Sequence, residues 1–401
     1  MTRTVFTGGR IFDGTGAAPA DGDILIEGSR ILEVGPGLVG DEQVDVSGKA
    51  LLPGLFDCHT HVMFSHIDFM KAMEEPFSYK FFDAVRNLEA TLRIGITTIR
   101  DASGADMGVR QAVEDGLIRG PRMQISLAMI GQTGGHADAW MPCGGPIPLF
   151  LPYPGMPDAR VDGAEEMRKM VRELIRDGAD VLKVATSGGV LSPRDDPQHP
   201  HFRPEELDVL VTEAAAAGRW VMAHSHGAEG TKQAVRAGIR SIEHGTYLDD
   251  EAVELMAQNG TYLVPTLLAS IGVMEAVEAG VQVPEAVLAK EKALIGIPQA
   301  SFRRALDAGV KIAMGTDTGV TPHGQNLREL ELMVEYGMTP TQALVATTAT
   351  AAELMGLEAE LGTLESGKRA DVVVMDGDPL DVSKMGERVV AVYKDGEPAF
   401  A

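Results

Sequence analysis

Between residues 56 and 355, short apolar runs alternate with longer amphipathic runs. The short runs are typical of buried strands, and the longer runs, apolar on one face, are typical of helices. The predicted strands are Ile96–Ile99, Gln124–Ala128, Val181–Ala185, Trp220–Ala223, Tyr262–Val264 and Lys311–Met314. The predicted helices are Ala164–Asp177, Pro204–Ala217, Thr231–Ala237, Asp250–Asn259 and Gln299–Ala308.

A glycine directly follows each of these predicted helices, at positions 178, 218, 238, 260 and 309. Glycine is favoured there because the residue after a helix often needs a positive φ. Strand–helix alternation implies a parallel sheet, and its length of about 300 residues suits a (β/α)8 TIM-type barrel. A doubly wound open sheet is the alternative within the α/β class.

The two ends of the chain have a different, β-rich pattern with turn residues between the runs. The predicted strands are Thr4–Phe6, Ile11–Phe12, Ile24–Ile26, Ile31–Val34, Asp371–Met375 and Val389–Tyr393. We predict that residues 1–55 and 360–401 form one composite β-sandwich domain, and that residues 56–359 form the barrel.

Two stretches have no predicted element. Residues 131–160 are rich in glycine and proline, and residues 186–203 are polar with proline and histidine. Each follows a barrel strand, so we expect both to lie over the catalytic face, where long loops are usually functional.

The 401-residue chain has 35 Lys and Arg against 58 Asp and Glu, a net charge of −23. This negative charge disfavours nucleic acid and anionic membranes as partners. We therefore expect the partner to be a small-molecule substrate. Two cysteines provide no disulfide framework. Because neither a signal-peptide core nor a stretch of about 20 apolar residues is found, we predict a cytoplasmic protein. A homo-oligomer is a common arrangement that this sequence leaves open.

Histidines at predicted strand ends are the main chemical signal. His59 and His61, in GLFDCHTHV, point to the same side of an extended strand. His224 in WVMAHSHG, His244 in IRSIEHGTY and Asp317 in VKIAMGTDTG each follow a short apolar run. Each alone can be an ordinary hydrogen-bonded polar residue. Together they are the nitrogen and oxygen ligands that Zn²⁺ and similar ions take, and barrel active sites are built from strand ends.

Lys183, in VLKVATSGG, places an amine inside a predicted strand. If Val181 and Ala185 face the barrel interior, Lys183 brings a charge into a packed core, which is costly. One interpretation is that the amine lies at the strand mouth and reaches water. The other is that burial lowers its pKa and the free amine reacts with CO2 to form a carbamate that bridges two metals.

The chain resembles the amidohydrolase superfamily over its whole length, through LLPGLFDCHTHV near the start and LGTLESGKRADVVVMDGDP near the end. TGGHAD and LKVATSGGV are most similar to the prolidase and zinc carboxypeptidase branch, which is related to imidazolonepropionase. The resemblance implies hydrolysis of an amide bond to a C-terminal amino acid, in a dipeptide or an N-acyl amino acid. Some relatives cleave man-made amides and carbamates.

The resemblance also implies a ligand set for two divalent metal ions, most commonly Zn²⁺. The more buried ion takes His59, His61 and Asp317, the more exposed ion takes His224 and His244, and carboxylated Lys183 bridges them. A hydroxide between the metals then attacks the amide carbon. Asp317 accepts the proton of that hydroxide and passes it to the leaving amine.

Three further residues are predicted to contact the substrate. His136 lies in TGGHAD and is, with Asp317, a predicted catalytic residue. One interpretation is that it binds the carbonyl oxygen or the α-carboxylate of the substrate. The other is that it is a loop histidine held by backbone hydrogen bonds. Prolidase-like members have the pattern H-x-Tyr at the fifth strand, and their tyrosine helps to bind the substrate carboxylate. His226 occupies the position of that tyrosine, so we expect His226 to bind the carboxylate here. The difference puts proline specificity in doubt. Arg203 either pairs with a substrate carboxylate or faces solvent before Pro204, which is the more common arrangement.

Three alternatives remain on the same fold. A hydrolase of non-peptide amides, carbamates or ureas would use the same site. A mononuclear deaminase has a histidine on the fifth strand and a glutamate three residues later. Gly227 occupies that position after His224, which argues against a deaminase. Glu229 does lie three residues after His226, so a shift of two residues would restore the pattern. A non-catalytic scaffold would have lost its ligands, which are all present. About two, one or zero metal ions per chain would separate a binuclear hydrolase, a deaminase and a scaffold.

Overall fold

The computed structural model describes residues 2–138, 140–141, 143–145, 151–192 and 194–400. The strands, in chain order, are β1 Arg3–Ile11, β2 Ala20–Glu27, β3 Arg30–Gly35, β4 Glu42–Asp45, β5 Lys49–Pro53, β6 Leu55–Thr60, β7 Ile96–Asp101, β8 Arg122–Ile125, β9 Met129–Ile130, β10 Val181–Ala185, β11 Trp220–Ser225, β12 Ser241–His244, β13 Tyr262–Val264, β14 Val372–Asp376, β15 Val389–Lys394 and β16 Glu397–Phe400.

The helices, in chain order, are α1 Phe69–Glu74, α2 Tyr79–Arg93, α3 Met107–Glu114, α4 Ala164–Arg176, α5 Pro204–Ala216, α6 Ala228–Ala237, α7 Asp250–Asn259, α8 Leu267–Glu278, α9 Glu285–Ala293, α10 Ile297–Asp307, α11 Arg328–Glu335, α12 Pro340–Ala346 and α13 Ala349–Leu354. A short 3-10 helix covers Met385–Arg388. Within the described ranges, no helix is both long and apolar enough to cross a membrane.

Local sequence explains the helices between the strands. α4 buries Met167, Met170, Val171 and Leu174, which recur at helical spacing, while charged residues occupy its other face. Asp249 caps the start of α7, since its carboxylate accepts a hydrogen bond from the Ala252 N–H at 2.9 Å. All five glycines predicted to follow helices have a positive φ, between 66° and 101°, so that prediction is confirmed.

Parallel strands form two sheets in the middle of the chain. One has the order β6-β7-β8 and the other the order β13-β12-β11-β10-β9. The predicted strands Val181–Ala185 and Tyr262–Val264 are found with those bounds. The predicted strand Gln124–Ala128 overlaps β8 only at Gln124 and Ile125, and β9 begins after it at Met129. The φ of 65° at Leu127 interrupts extended pairing between the two strands.

The predicted strand Lys311–Met314 is not continuous in the structure. Its residue Ile312 forms an isolated parallel bridge with Leu263, and Thr318 forms another with Thr60. The Cys58 N–H also donates to the Met314 carbonyl at 2.9 Å. This segment therefore hydrogen-bonds to the last strand of one parallel sheet and to the first strand of the other.

The two β-rich ends pair with each other, in a sheet with the order β16-β15-β14-β5-β1-β2-β3, and β4 also pairs with β1. The antiparallel β5–β14 pair joins the N-terminal and C-terminal segments. The predicted strand Thr4–Phe6 and the first residue of the predicted strand Ile11–Phe12 belong to one strand, β1, whose pairing is shifted between Phe6 and Gly9. The structure shows this pairing within one sheet; a sandwich and the two domain boundaries remain predictions.

Two buried apolar clusters hold these parts together. The larger one packs the helices against the parallel strands and includes Leu88, Ile99, Leu182 and Ile242. A separate cluster around Phe6 lies beneath the end sheet. Each fully buried Leu, Ile or Phe side chain contributes about 1.5–3 kcal/mol, so the packed helices give the parallel strand ends a rigid support.

Candidate metal centre

The six predicted metal ligands line one pocket at the carboxyl ends of the parallel strands. The pocket has a volume of about 100 Å³, and its lining includes His59, His61, Lys183, His224, His244 and Asp317. His59 lies in β6, Lys183 in β10, His224 in β11 and His244 at the end of β12. Residues from five separate segments of the chain thus reach one place, because parallel strands direct the same ends to the same side.

The first group of donor atoms surrounds Asp317. Its Oδ1 atom lies 3.1 Å from His61 Nε2 and 3.5 Å from His59 Nε2. Donor atoms of His59, His244 and Asp317 all lie within 4.8 Å of one another, close enough to share one cation. Two imidazoles and a carboxylate are a common ligand set for Zn²⁺ and related ions.

The second group is made of histidines. Donor atoms of His224, His226 and His244 also lie within 4.8 Å of one another. His244 therefore belongs to both groups, and His226, predicted as a substrate contact, is placed as a further nitrogen donor. His226 Nδ1 lies 2.6 Å from the Thr246 hydroxyl, so its other ring nitrogen is the one available to the pocket.

Hydrogen bonds orient the first two imidazoles. His59 Nδ1 lies 2.7 Å from Glu243 Oε2, and His61 Nδ1 lies 2.8 Å from the Ser103 carbonyl oxygen. A carboxylate and a carbonyl oxygen only accept, so each Nδ1 carries the proton. The lone pair of each Nε2 then faces the pocket, the tautomer that a metal ligand needs.

Burial keeps these groups in the protonation states that bind cations. It lowers the pKa of His59, His224 and His244 well below the usual value, so these imidazoles are neutral. Burial alone would raise the pKa of Asp317, but its close contacts with the ring nitrogens of His61 and His59 lower it overall. Asp317 is therefore an ionised carboxylate beside neutral imidazoles.

Lys183 is buried, and burial lowers the pKa of its amine to about 8. Its Nζ lies 3.0 Å from His59 Nε2. Within the described residues, no carboxylate forms an ion pair with this amine. A buried amine beside a neutral imidazole is poorly compensated as an ammonium ion. The arrangement fits either a free amine or a derivative that carries negative charge.

Taken together, the donor set fits divalent metal ions. It combines neutral imidazole nitrogens, one ionised carboxylate and a lysine of lowered pKa in a buried pocket. Strain supports a functional role: His244 has a φ of 70° and Asp317 a φ of 60°. This backbone region is uncommon for residues other than glycine and is concentrated at functional sites.

His136 lines the pocket, and its ring stacks on that of His224 with 4.2 Å between centroids. Its Nδ1 lies 2.7 Å from the Ser192 hydroxyl, which in turn donates to Asp195. Lys290 of α9 then contacts Asp195 at 3.0 Å. His136 is therefore held by a side-chain hydroxyl from the second predicted loop, and its position depends on contacts with α9.

Arg203 is exposed and lies directly before α5. Its backbone N–H donates to Glu206 Oε2 at 2.7 Å, and the pocket lining does not include it. The structure brings His136 and His226 to the predicted ligands and leaves Arg203 outside that group.

A buried charged network beneath the pocket was missed by sequence reasoning. Glu243 contacts His59 on one side and Arg100 on the other, at 2.7 Å and 2.9 Å. Ser241 donates to Glu243 at 2.6 Å, and Arg100 Nε donates to the Cys58 carbonyl at 2.7 Å. The available signal was a glutamate inside the short apolar run before His244, since a buried charge requires a partner.

Part of the pocket wall was also missed. Residues of α8 and α9 line the pocket: Ala269, Ser270, Val273 and Glu291. Of the two loops expected over the site, His136 from 131–160 and Val190 and Leu191 from 186–203 reach it. Residues 139, 142, 146–150 and 193 of these loops lie outside the described residues.

The chain is similar to several known proteins. The family model described as "Amidohydrolase family" matches residues 50–399. An ochratoxinase of Aspergillus niger is 38% identical over 363 residues, which cover 86% of this chain and 75% of that protein. An imidazolonepropionase of Rubrobacter xylanophilus is 27% identical, over 93% of this chain and 89% of that protein. A solved Xaa-Pro dipeptidase with methionine bound in its active site has a TM-score of 0.91 and 36% identity, over 99% of both chains.

Proposed function

This chain belongs to the amidohydrolase family, and we propose that it cleaves the amide bond to a C-terminal amino acid in a dipeptide or N-acyl amino acid. Family membership and the enzymes among its relatives make it a hydrolase that acts on C–N bonds. The pocket is the observation that supports the proposed substrate class. It combines two overlapping groups of metal-binding side chains with His136, a histidine outside both groups.

We assign the ligands of two divalent metal ions as the sequence predicts. His59, His61 and Asp317 would hold the first ion, His224 and His244 would hold the second, and carboxylated Lys183 would bridge them. The short distances around Asp317 and the lowered pKa of Lys183 support this assignment. Zn²⁺ is our proposal for the metal, because imidazole and carboxylate ligands suit it.

The protein's own groups then have distinct tasks. Bound metal ions would polarise the scissile carbonyl and lower the pKa of a water molecule. Asp317 is ionised, so its carboxylate can accept a proton and return it to the leaving amine. Glu243 and the Ser103 carbonyl keep the lone pairs of His59 and His61 directed into the pocket.

His136 and His226 are proposed to hold the substrate carboxylate. Burial lowers the pKa of His136 to about 4 and that of His226 to about 3. Both rings are therefore neutral at pH 7 in the free enzyme. His226 can donate through the ring nitrogen that does not contact Thr246. His136 uses its Nδ1 proton for Ser192 and can donate to the carboxylate only in its protonated form, which a bound anion favours. The methionine in the active site of the similar Xaa-Pro dipeptidase supports a site for a free amino acid. Arg203 has no part in this proposal because it is exposed outside the pocket lining.

We also propose that the parallel strands and the segment around Ile312 close into a (β/α)8 barrel over residues 56–359, with residues 1–55 and 360–401 as its β-sandwich companion. The bridges from this segment to β13 and β6 support closure. The β5–β14 pair supports a composite domain of the two ends.

The test is a screen of dipeptides and N-acyl amino acids with metal-loaded enzyme, together with metal analysis. We expect about two metal ions per chain and cleavage that requires a free C-terminal carboxylate. Masking that group as an amide or methyl ester leaves buried donors unpaired, which costs about 1–3 kcal/mol. Equal kcat/KM for free and masked substrates would reject carboxylate recognition and indicate a carbamate, urea or simple-amide hydrolase.

A further inference from the structure

One carboxyl group in the pocket wall has no task in the proposed hydrolysis. Glu291 lies in α9 and is 5% exposed. It lines the same pocket as the predicted ligands, together with apolar residues that include Ile67, Val190 and Val273. A carboxyl group in an apolar wall is costly to bury unless something pairs with it.

The structure leaves one oxygen of Glu291 without a partner. Its Oε2 is buried and accepts no hydrogen bond from any described residue, while the Ser270 hydroxyl interacts with the carboxyl group. The neighbouring Lys290 does not neutralise it, because Lys290 is held by Asp195 and two backbone carbonyls. A buried oxygen without a partner loses the hydrogen bonds that it made with water and gains none in return.

The other buried glutamates near the centre are satisfied within the protein. Glu329 accepts hydrogen bonds from the backbone N–H groups of Leu267 and Leu268, both at 2.8 Å. Glu243 is paired with Arg100 and His59. Across the described ranges, Glu291 provides the one buried carboxyl oxygen without a hydrogen-bond partner. Its missing partner is therefore expected from outside the chain, in the pocket that it lines.

We propose that Glu291 binds the free amino group of the substrate, so that the preferred substrates are dipeptides with an unblocked N-terminus. The inference rests on the proposed amide hydrolysis and selects one of its two substrate classes. An ammonium group donates to the unpaired Oε2, and charge-assisted hydrogen bonds of this kind are strong. An N-acyl substrate has no donor there, so the oxygen stays unpaired.

Electrostatics agree with this assignment. Burial, with a smaller effect from the charge of Asp317, raises the pKa of Glu291 to about 7. A bound cation would favour the ionised carboxylate and recover the cost of burying it. In the bound state, the carboxylate of the leaving residue would meet His136 and His226, and the amino group would meet Glu291.

The experiment compares alanyl-X with propionyl-X, where X is the amino acid that the wild-type enzyme releases fastest. The two substrates differ by one amino group. We expect the metal-loaded wild-type enzyme to prefer alanyl-X in kcat/KM by about ten- to hundredfold, as a charge-assisted hydrogen bond allows. Glu291→Gln should abolish this preference. Glu285→Gln, an exposed position in the same helix, is the matched control and should keep it.

The outcomes separate this inference from the function on which it rests. Equal kcat/KM for the two substrates in the wild-type enzyme overturns the role of Glu291 and leaves amide hydrolysis intact. A Glu291→Gln enzyme that binds metal normally and keeps the wild-type preference has the same consequence. Failure to cleave any dipeptide or N-acyl amino acid overturns the proposed function and, with it, this inference. The wild-type comparison needs no variant, so it stands even if Glu291→Gln does not fold.

Discussion

The first prediction concerns the replacement of the buried carboxylate of Glu243. This carboxylate is fully buried and connects His59, a proposed metal ligand, to Arg100, while Ser241 donates to it. In Glu243→Gln the side-chain amide has one acceptor oxygen where the carboxylate had two. Because His59 Nδ1–H and the Arg100 guanidinium are both donors, one of them then faces an NH2 group and loses its acceptor.

Two losses of different size follow from this geometry. Breaking a buried ion pair by removing one partner costs about 3–5 kcal/mol, so the metal-free Glu243→Gln protein should lose that much free energy of unfolding. Loss of the hydrogen bond that orients a metal-binding histidine typically costs about 10–100-fold in metal affinity. Urea unfolding of the metal-free protein measures the first loss, and metal retention against a competing chelator measures the second.

Two further variants separate stability from ligand orientation. Glu254→Gln makes the same change at an exposed position of α7 and should match the wild type in both assays. Adding Arg100→Met to Glu243→Gln removes the unpaired cation. It should recover part of the unfolding free energy and none of the metal affinity. A Glu243→Gln protein that unfolds within about 0.5 kcal/mol of wild type, the range of neutral surface changes, and retains metal equally well would contradict both expected losses.

Three other predictions concern the pocket. Lys183→Ala should lose most bound metal and activity, partly restored by acetate or propionate as a substitute carboxylate; near wild-type metal content would exclude the carbamate. Asp317→Asn should lower kcat by about 10²–10⁴-fold with a much smaller change in substrate binding, and turnover within tenfold of wild type would remove Asp317 from the proton transfer. Asp195→Asn should loosen the contacts that hold His136 and raise KM with metal content unchanged. Arg203→Ala, at an exposed position, is its control, and equal KM values for these two variants would contradict the positioning role.

Local patterns were sufficient to predict most of the strands in the middle of the chain, but only five of the thirteen helices that the structure describes there. β10 and β13 have the predicted bounds because short apolar runs between turn residues leave little choice of register. Helix ends were equally clear, since the glycines that follow them adopt positive φ values that other side chains resist. α8 was missed because its apolar residues are spread around the helix and do not form one face.

The predicted ligands also came from the sequence, because histidine and aspartate after apolar runs mark strand ends, and parallel strands bring such ends together. The partners of the buried charges could not be predicted from the sequence. Glu243 and His59 are 184 positions apart and meet at 2.7 Å, and Lys290 reaches Asp195 from 95 positions away. Arg203 is exposed and Glu291 is buried in the pocket wall, although both are charged residues near helix ends. Sequence periodicity determines which face of an element is buried, whereas the partner of a buried charge depends on which distant elements pack beside it, and only the tertiary structure decides that.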